Sequence, residues 1–189
     1  RATVPVLWDK ESGTIVNNES ADIVRMLNAG FGDLADGAVD LYPYGLRAEI
    51  DALNERIYPA LNNGVYRAGF ATTQVAYEEA YHGVFAMLDE LEERLSGGHA
   101  FLFGDRLVET DIRLFVTLVR FDAAYFGLFK TNKRQIADYP RLQAYMMRIL
   151  DVPGVRETVN VEHIKAGYYS VKALNPAGIV PVRPDLSWE

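Results

Sequence analysis

Two residue pairs near the start of the chain, Val4-Pro5 and Glu19-Ser20, combine types and spacing that could hold a small charged peptide. Proline has no N–H to give a strand ladder, so the apolar run Val4–Trp8 must lie at an edge or pair with something other than a neighbouring strand. With a cis Val4-Pro5 bond, the turn would aim the Val4 amide and carbonyl outward, where a bound peptide could pair with them as an added strand. Glu19-Ser20 leads into a helix carrying Ile23, Val24, Met26 and Leu27. A helix start presents backbone amides to a carboxylate, the Ser20 hydroxyl adds a donor, and the Glu19 carboxylate could meet an ammonium group. From spacing alone, an ordinary edge strand and an ordinary N-cap explain these residues more economically.

Three tyrosines form a second set. Tyr66 comes after the helix stop Asn62-Asn63-Gly64, Tyr125 stands at a helix end, and Tyr168 lies in Gly-Tyr-Tyr. A tyrosine at such a position can stack on a phenolic ligand and hydrogen-bond its oxygens. Taken singly, each also reads as a half-buried residue at a core rim. Other chemistries find little support. His82, His99 and His163 stand far apart, with no GxSxG to accompany them and no HExxH spacing for a metal. No glycine loop is built to cradle phosphate. The chain has no cysteine, which excludes disulfides, thiolate metal sites and a cysteine nucleophile within these residues.

The elements that must position these groups can be read from periodicity. The first 30 residues read as strand, turn (DKESG), strand (Thr14–Val16), loop and helix. Residues 31–44, with glycines, a proline and three aspartates, read as a linker. From Gly45 the period is helical. One helix is predicted from about Leu46 to Leu61, ended or kinked by Pro59, with Val65–Phe70 as a connecting loop that holds Tyr66. A long helix comes next over Thr73–Leu95, then a tight apolar loop at Phe101–Asp105 and an apolar central helix over Ile112–Phe126. That central helix carries Arg113, Arg120 and Asp122, charges that inside an apolar segment are paired or functional. Further helices are predicted from Tyr139-Pro140, after Pro153, and over His163–Ser170. The expected division is therefore 1–30, linker 31–44, an all-helical unit at 45–172 and an extended tail at 173–189. A net charge of -7 argues against nucleic acid or an anionic membrane as the main partner. No apolar run approaches the roughly 20 residues of a membrane span.

The stretch VPVLWDKESGTIVNNES before an apolar helix resembles the second half of a glutathione transferase thioredoxin-like domain. VYRAGFATTQVAYEEA, ETDIRLFVTLVRFDAAYFGLFKTN, DYPRL, PGVRETVNVEHIKAGYY and NPAGIVP narrow the resemblance to the Xi class, the glutathionyl-hydroquinone reductases. The match runs from about Thr3 to Pro181. It implies a glutathione transferase fold: an α/β thioredoxin-like remnant (strand-strand-helix) followed by an all-α helical bundle. It implies a cytoplasmic homodimer that uses glutathione as co-substrate and no metal. In this family a cysteine in a Cys-Pro-Trp motif takes the glutathionyl group from the hydroquinone as a mixed disulfide, and a second glutathione releases it. The resemblance implies that Val4 and Pro5 hold the cysteinyl backbone of glutathione and that Glu19 and Ser20 hold its γ-glutamyl end. It implies that Tyr66, Tyr125 and Tyr168 bind the hydroquinone oxygens.

The chain departs from the pattern in four places. The cysteine motif belongs on a strand and helix expected upstream of Arg1. Thr131 stands where the family commonly has Cys, Gly167 where it has His, and Val108 where a capping Thr is usual. Two readings compete with the reductase. One is a non-catalytic glutathione-transferase-like binding module. The other is a conventional transferase that conjugates glutathione through Ser or Tyr. The residue upstream of Arg1 at the nucleophile position separates the three.

Overall fold

The computed structural model describes residues 4–34, 38–182, 184 and 186. Thr3 and the two residues before it, three linker positions (35–37) and tail positions 183, 185 and 187–189 lie outside the described residues. Two compact units divide between Ile50 and Asp51.

The first unit opens on a cis Val4-Pro5 bond. Strand β1 (Leu7–Asp9) pairs antiparallel with β2 (Thr14–Asn17), with Trp8 opposite Ile15 and a register irregularity between Leu7 and Trp8. The predicted strand over Val4–Trp8 is therefore shorter at its start. Pro5 stays outside the ladder, where its missing N–H costs no strand bond. The turn between the strands is tied by Asp9, whose carboxylate accepts from the Glu11 amide at 2.9 Å and the Ser12 hydroxyl at 2.5 Å. These two bonds hold the Asp9 carboxyl below its ordinary range, the Ser12 bond most of all. Gly13 closes the turn at φ 67°, a conformation that glycine adopts without strain. Helix α1 (Ser20–Ala29) comes next. Residues after it return to its surface. Asn28 donates to the Val39 carbonyl at 2.7 Å and accepts from the Leu41 amide at 2.9 Å, and the Arg25 guanidinium lies 3.8 Å from the centre of the Tyr42 ring.

Helix α2 (Arg47–Ile57) leads into the second unit, whose helices are α3 (Gly64–Gly69), α4 (Gln74–Arg94), α5 (Glu109–Arg120), α6 (Phe126–Leu128), α7 (Pro140–Leu150) and α8 (Val161–Tyr169). Its core is a continuous set of side chains, including Leu88, Leu91, Leu114, Leu118, Phe121, Tyr145 and Ile149. The apolar segment predicted to be central is so: α5 and the turn after it bury Leu114, Leu118, Phe121 and Tyr125.

Four predicted details are corrected. The helix from about Leu46 keeps its helical path to Asn62, but it is neither ended nor broken at Pro59: α2 stops being α-helical at Ile57 and continues as a π turn, Tyr58–Asn62, that absorbs Pro59. Val65–Phe70 is no loop, because α3 occupies Gly64–Gly69. The central helix starts at Glu109 and carries a second π turn, Phe121–Tyr125, so Tyr125 lies within the helical path and not at its end. After Pro153 the predicted short helix is a single 3-10 turn, Arg156–Thr158.

The charges on the central helix are held. Arg113 lies 3.7 Å from Glu109. The Asp122 carboxylate accepts from the Ile136 and Ala137 amides at 2.7 and 3.2 Å. Buried Asp111 takes three bonds, from the Val108 amide at 2.8 Å, the Leu102 amide at 3.0 Å and the Tyr145 hydroxyl at 2.7 Å. It thus caps the Val108 amide from the third helical position, the half of a capping box that needs no oxygen on Val108, and it fixes the Phe101–Gly104 loop to the start of α5. The tail turns back on the bundle: Asn175 donates to the Tyr169 and Ile179 carbonyls, buried Lys165 donates to the Val182 carbonyl, and Leu186 joins the core. Among the described residues no helix is long and apolar enough to cross a membrane.

Candidate functional site

In the first unit, the strand pair and the start of α1 carry the four residues predicted to meet a peptide ligand. Val4, Pro5, Glu19 and Ser20 are all exposed. Helix α1 begins at Ser20 and its N-cap is Glu19, whose carboxylate accepts from the Ala21 amide and the Ser20 hydroxyl at 3.4 Å each. The Glu19 amide is itself tied to the Asn17 side chain at 2.6 Å, which fixes the cap to the end of β2. The cap is therefore a carboxylate, where a serine is the simpler expectation. Among the described residues no hydrogen bond joins Val4-Pro5 to Glu19-Ser20; the strand pair positions both.

In the second unit, Tyr66, Tyr125 and Tyr168 come together. Tyr66 projects from α3, Tyr125 from the π turn after α5, and Tyr168 from α8. The Tyr168 hydroxyl lies 2.6 Å from that of Tyr66 and 2.7 Å from that of Tyr125, and the Tyr66 and Tyr125 hydroxyls are 3.5 Å apart. Exposure falls from 37% at Tyr66 to 3% at Tyr125. The helical segments that lead to Tyr66 and to Tyr125 each contain a π turn, closed by the Asn63 amide on the Tyr58 carbonyl and by the Phe126 amide on the Phe121 carbonyl. A π turn inserts one residue and rotates the helix beyond it, which re-aims a side chain without ending the helix.

The rings are packed as tightly as the hydroxyls. Phe129 stacks on Tyr125 at 5.2 Å between centroids and meets Tyr66 edge-on at 5.2 Å. Gly69 makes room for it, since a Cβ there would fall 2.4 Å from Cγ of Phe129. After Phe129 the chain reverses through Lys130 at φ 61°, and the Thr131 amide returns to the Tyr125 carbonyl at 3.3 Å. Burial drives the Tyr125 hydroxyl far above the ordinary tyrosine range, and the Tyr168 and Tyr66 hydroxyls add to the effect. Burial also pushes Tyr168 up to about 12, while the bond from Tyr125 and the Arg120 guanidinium work against it. Both stay protonated at neutral pH, so the cluster donates hydrogen bonds to oxygen.

A cavity of about 510 Å³ adjoins the cluster between α5 and α8 and has Tyr168 in its wall. Tyr66 and Tyr125 do not line it.

Residues 74–148 match the family described as glutathione S-transferase, C-terminal domain. The chain is 55% identical over 185 residues to the glutathionyl-hydroquinone reductase PcpF of Sphingobium chlorophenolicum, covering 97% of this chain and 59% of that protein. It is 51% identical over 185 residues to the glutathionyl-hydroquinone reductase YqjG of Escherichia coli strain K12, covering 97% of this chain and 56% of that one. The glutathione-bound structure of the Escherichia coli protein superposes with a TM-score of 0.95 at 50% identity, over 100% of this chain and 62% of that chain. Glutathione transferase Xi 1 from Trametes versicolor superposes with a TM-score of 0.92 at 50% identity, over 97% of this chain and 64% of that chain. Over nearly its whole length the chain is similar to glutathionyl-hydroquinone reductases and to a Xi-class glutathione transferase. It spans less than two thirds of the length of these relatives.

The glutathione transferase fold accounts for the order of elements here, a strand-strand-helix piece before a helical bundle. Sequence reasoning passed over two parts of the tyrosine cluster. Phe129 and Gly69 supply its floor, and no local spacing marks them. Arg120 carried a signal, as a charge in an apolar helix, but not a role.

Proposed function

We propose that this chain is part of an enzyme that reduces glutathionyl-hydroquinones to hydroquinones, with the second unit holding the hydroquinone. The observation that carries the reading is the cluster of three hydroxyls, Tyr66, Tyr125 and Tyr168, around which aromatic rings are packed. Protonated phenols are suited to the oxygens of a hydroquinone and to the negative charge that grows there as the ring gains electrons. The names of the 55% and 51% identical relatives support the same substrate. Glutathione binding is supported by the glutathione-bound Escherichia coli homologue. In our reading Val4 and cis-Pro5 pair with its cysteinyl backbone, and Glu19, Ser20 and the free amides of α1 receive its γ-glutamyl end.

The chemistry needs a thiolate. The chain has no cysteine, and the proposal puts the nucleophile upstream of Arg1. That thiolate attacks the glutathionyl sulfur. The bond from sulfur to the ring carbon breaks, the ring keeps the electron pair and takes up a proton, and the hydroquinone leaves. A second glutathione thiolate then attacks the mixed disulfide, which returns the cysteine thiolate and releases glutathione disulfide. In the same reading 1–30 is the thioredoxin-like part, 31–44 the linker, 45–172 the substrate-binding part and 173–189 the tail. The working form is a cytoplasmic homodimer that needs no metal.

The test uses the full-length protein that contains this chain. Tyr66→Phe combined with Tyr168→Phe is expected to lower turnover of a glutathionyl-hydroquinone by about tenfold or more, the effect of losing one or two charge-assisted bonds. Glutathione affinity should change far less. Equal losses in both would remove these tyrosines from the acceptor pocket. A serine or tyrosine at the upstream nucleophile position, with conjugating activity, would make the protein a conventional transferase. The 189-residue chain alone is expected to show no thiol-transferase activity.

A further inference from the structure

The 510 Å³ cavity between α5 and α8 has a wall chemistry that the hydroquinone reading does not use. Phe115, Val119 and Ile164 give it apolar sides. Arg120 stands among them half-buried. One end of its guanidinium donates to the Val116 carbonyl at 2.6 Å, and among the described residues no carboxylate lies within ion-pair distance of it. The lining contains no acidic side chain at all. Thr158, Asn160 and His163 add polar groups that, like Arg120, can meet an anion, so a cavity with apolar sides, an arginine with no carboxylate beside it and no acid in its wall selects a ligand that is apolar along its length and anionic at its end. Gly167 also lines the cavity, and a Cβ there would meet nothing within 4 Å, so the wall on that side is open.

Tyr168 joins this cavity to the hydroxyl cluster. Its ring lines the wall, while its hydroxyl is the centre of the cluster. A hydroquinone whose oxygens rest on the hydroxyls could therefore send a ring substituent past the Tyr168 ring toward Arg120.

We propose that the cavity is an acceptor subsite for a hydroquinone bearing an apolar side chain that ends in a carboxylate, with Arg120 as the partner of that carboxylate. The assignment rests on the hydroquinone reading. It makes the substrate a carboxylated aromatic, the kind of compound produced by oxidative cleavage or side-chain oxidation of larger phenols.

The experiment compares three glutathionyl-hydroquinones in the full-length protein: the unsubstituted ring, the ring with a carboxyethyl arm, and the methyl ester of that arm. The wild type is expected to favour the acid over the ester by about tenfold in kcat/KM, the size of one charge-assisted bond. Arg120→Met keeps the apolar stem and should bring the acid-to-ester ratio close to one, while Arg120→Lys should restore part of it. Gly167→Leu should penalise both arm-bearing substrates relative to the unsubstituted ring. An acid-to-ester ratio near one in the wild type, or a ratio unmoved by Arg120→Met, would overturn the subsite while leaving the hydroquinone reading intact. Failure of the wild type to process any of the three would overturn both.

Discussion

The Tyr168 hydroxyl lies 2.6 Å from the Tyr66 hydroxyl, although 102 positions separate the two residues in the chain. With Tyr125 at 2.7 Å on its other side, Tyr168 is the middle of a short run of phenols. Three hydroxyls carry three protons, and two short links use two of them. Burial orders the run. Tyr125 is almost wholly enclosed and has only its neighbours to donate to, which favours the order in which Tyr125 donates to Tyr168 and Tyr168 to Tyr66. In that order the third proton is left on Tyr66, the most exposed of the three, where a ligand oxygen can accept it. The packing thus leaves one donor for a ligand oxygen, backed by two more that polarise it.

That arrangement predicts an unusual titration. In an ultraviolet difference titration at high pH, the Tyr125 signal should be missing until the protein unfolds, and Tyr168 should ionise only near pH 12, later than a free tyrosine. Between the ordinary tyrosine pKa of about 10 and the raised folded value, the folded chain binds more protons than the unfolded one, so stability falls as pH rises through that window. Below about pH 10 the contribution is fully present. Tyr168→Phe should remove the amplitude near pH 12 and flatten part of the alkaline loss of stability. An unchanged titration in that variant would break the run as described.

Gly69 predicts the cost of disturbing the floor of the cluster. Gly69→Ala would put a methyl group 2.4 Å from the ring carbon Cγ of Phe129, a side chain that is itself 1% exposed and has no room to retreat. Overpacking of this kind costs about 1–3 kcal/mol. The expected outcome is a lower urea midpoint together with a changed near-ultraviolet circular dichroism band, since Phe129 is stacked on Tyr125. A loss of stability without a change in the aromatic band would mean that the strain is relieved elsewhere.

The strand pair, the helical character after Gly45 and the central apolar helix are legible in residue order because each depends on local pattern. The closing of Tyr66, Tyr125 and Tyr168 is not, because it depends on which faces of three separate helices meet. Tyr66 shows why. Asn62-Asn63-Gly64 reads as a stop, and with Pro59 shortly before it a loop is the natural expectation. The π turn at Tyr58–Asn62 takes up the proline instead, and Gly64 fits because a Cβ there would come within 3.1 Å of Val84. Hydrophobic periodicity assumes a constant 3.6 residues per turn and cannot register a one-residue insertion. The same insertion after Arg120 places Tyr125 inside the helical path. Where the family resemblance named the three tyrosines, it did so through motif order and not through geometry.

Asp111 predicts how the start of the central helix is held. Its carboxylate takes two backbone amides and the Tyr145 hydroxyl, and its burial raises its pKa even though all three bonds favour the ion. Asp111→Ala strands three buried donors and should cost about 3 kcal/mol or more, read as a loss in chemical denaturation. Tyr145→Phe removes only one bond and leaves the carboxylate its two amides, so it should cost about 1–2 kcal/mol. If the two variants lose equally, the hydroxyl bond and not the cap is what anchors α5.

Thr131 predicts a gain. It is fully buried, and its Oγ1 has no hydrogen-bond partner among the described residues, while its amide is engaged with the Tyr125 carbonyl. A hydroxyl taken out of water without a partner is a standing cost, and the backbone role does not need the side-chain oxygen. Thr131→Val keeps the shape and the β-branching and removes the unpartnered group, so it should stabilise the second unit by about 1 kcal/mol. Because the segment 129–131 carries Phe129 into the tyrosine cluster, the gain should come with unchanged aromatic circular dichroism. A destabilised Thr131→Val protein would show that the hydroxyl has a partner, and would point to it as a polar contact beneath the Lys130 turn.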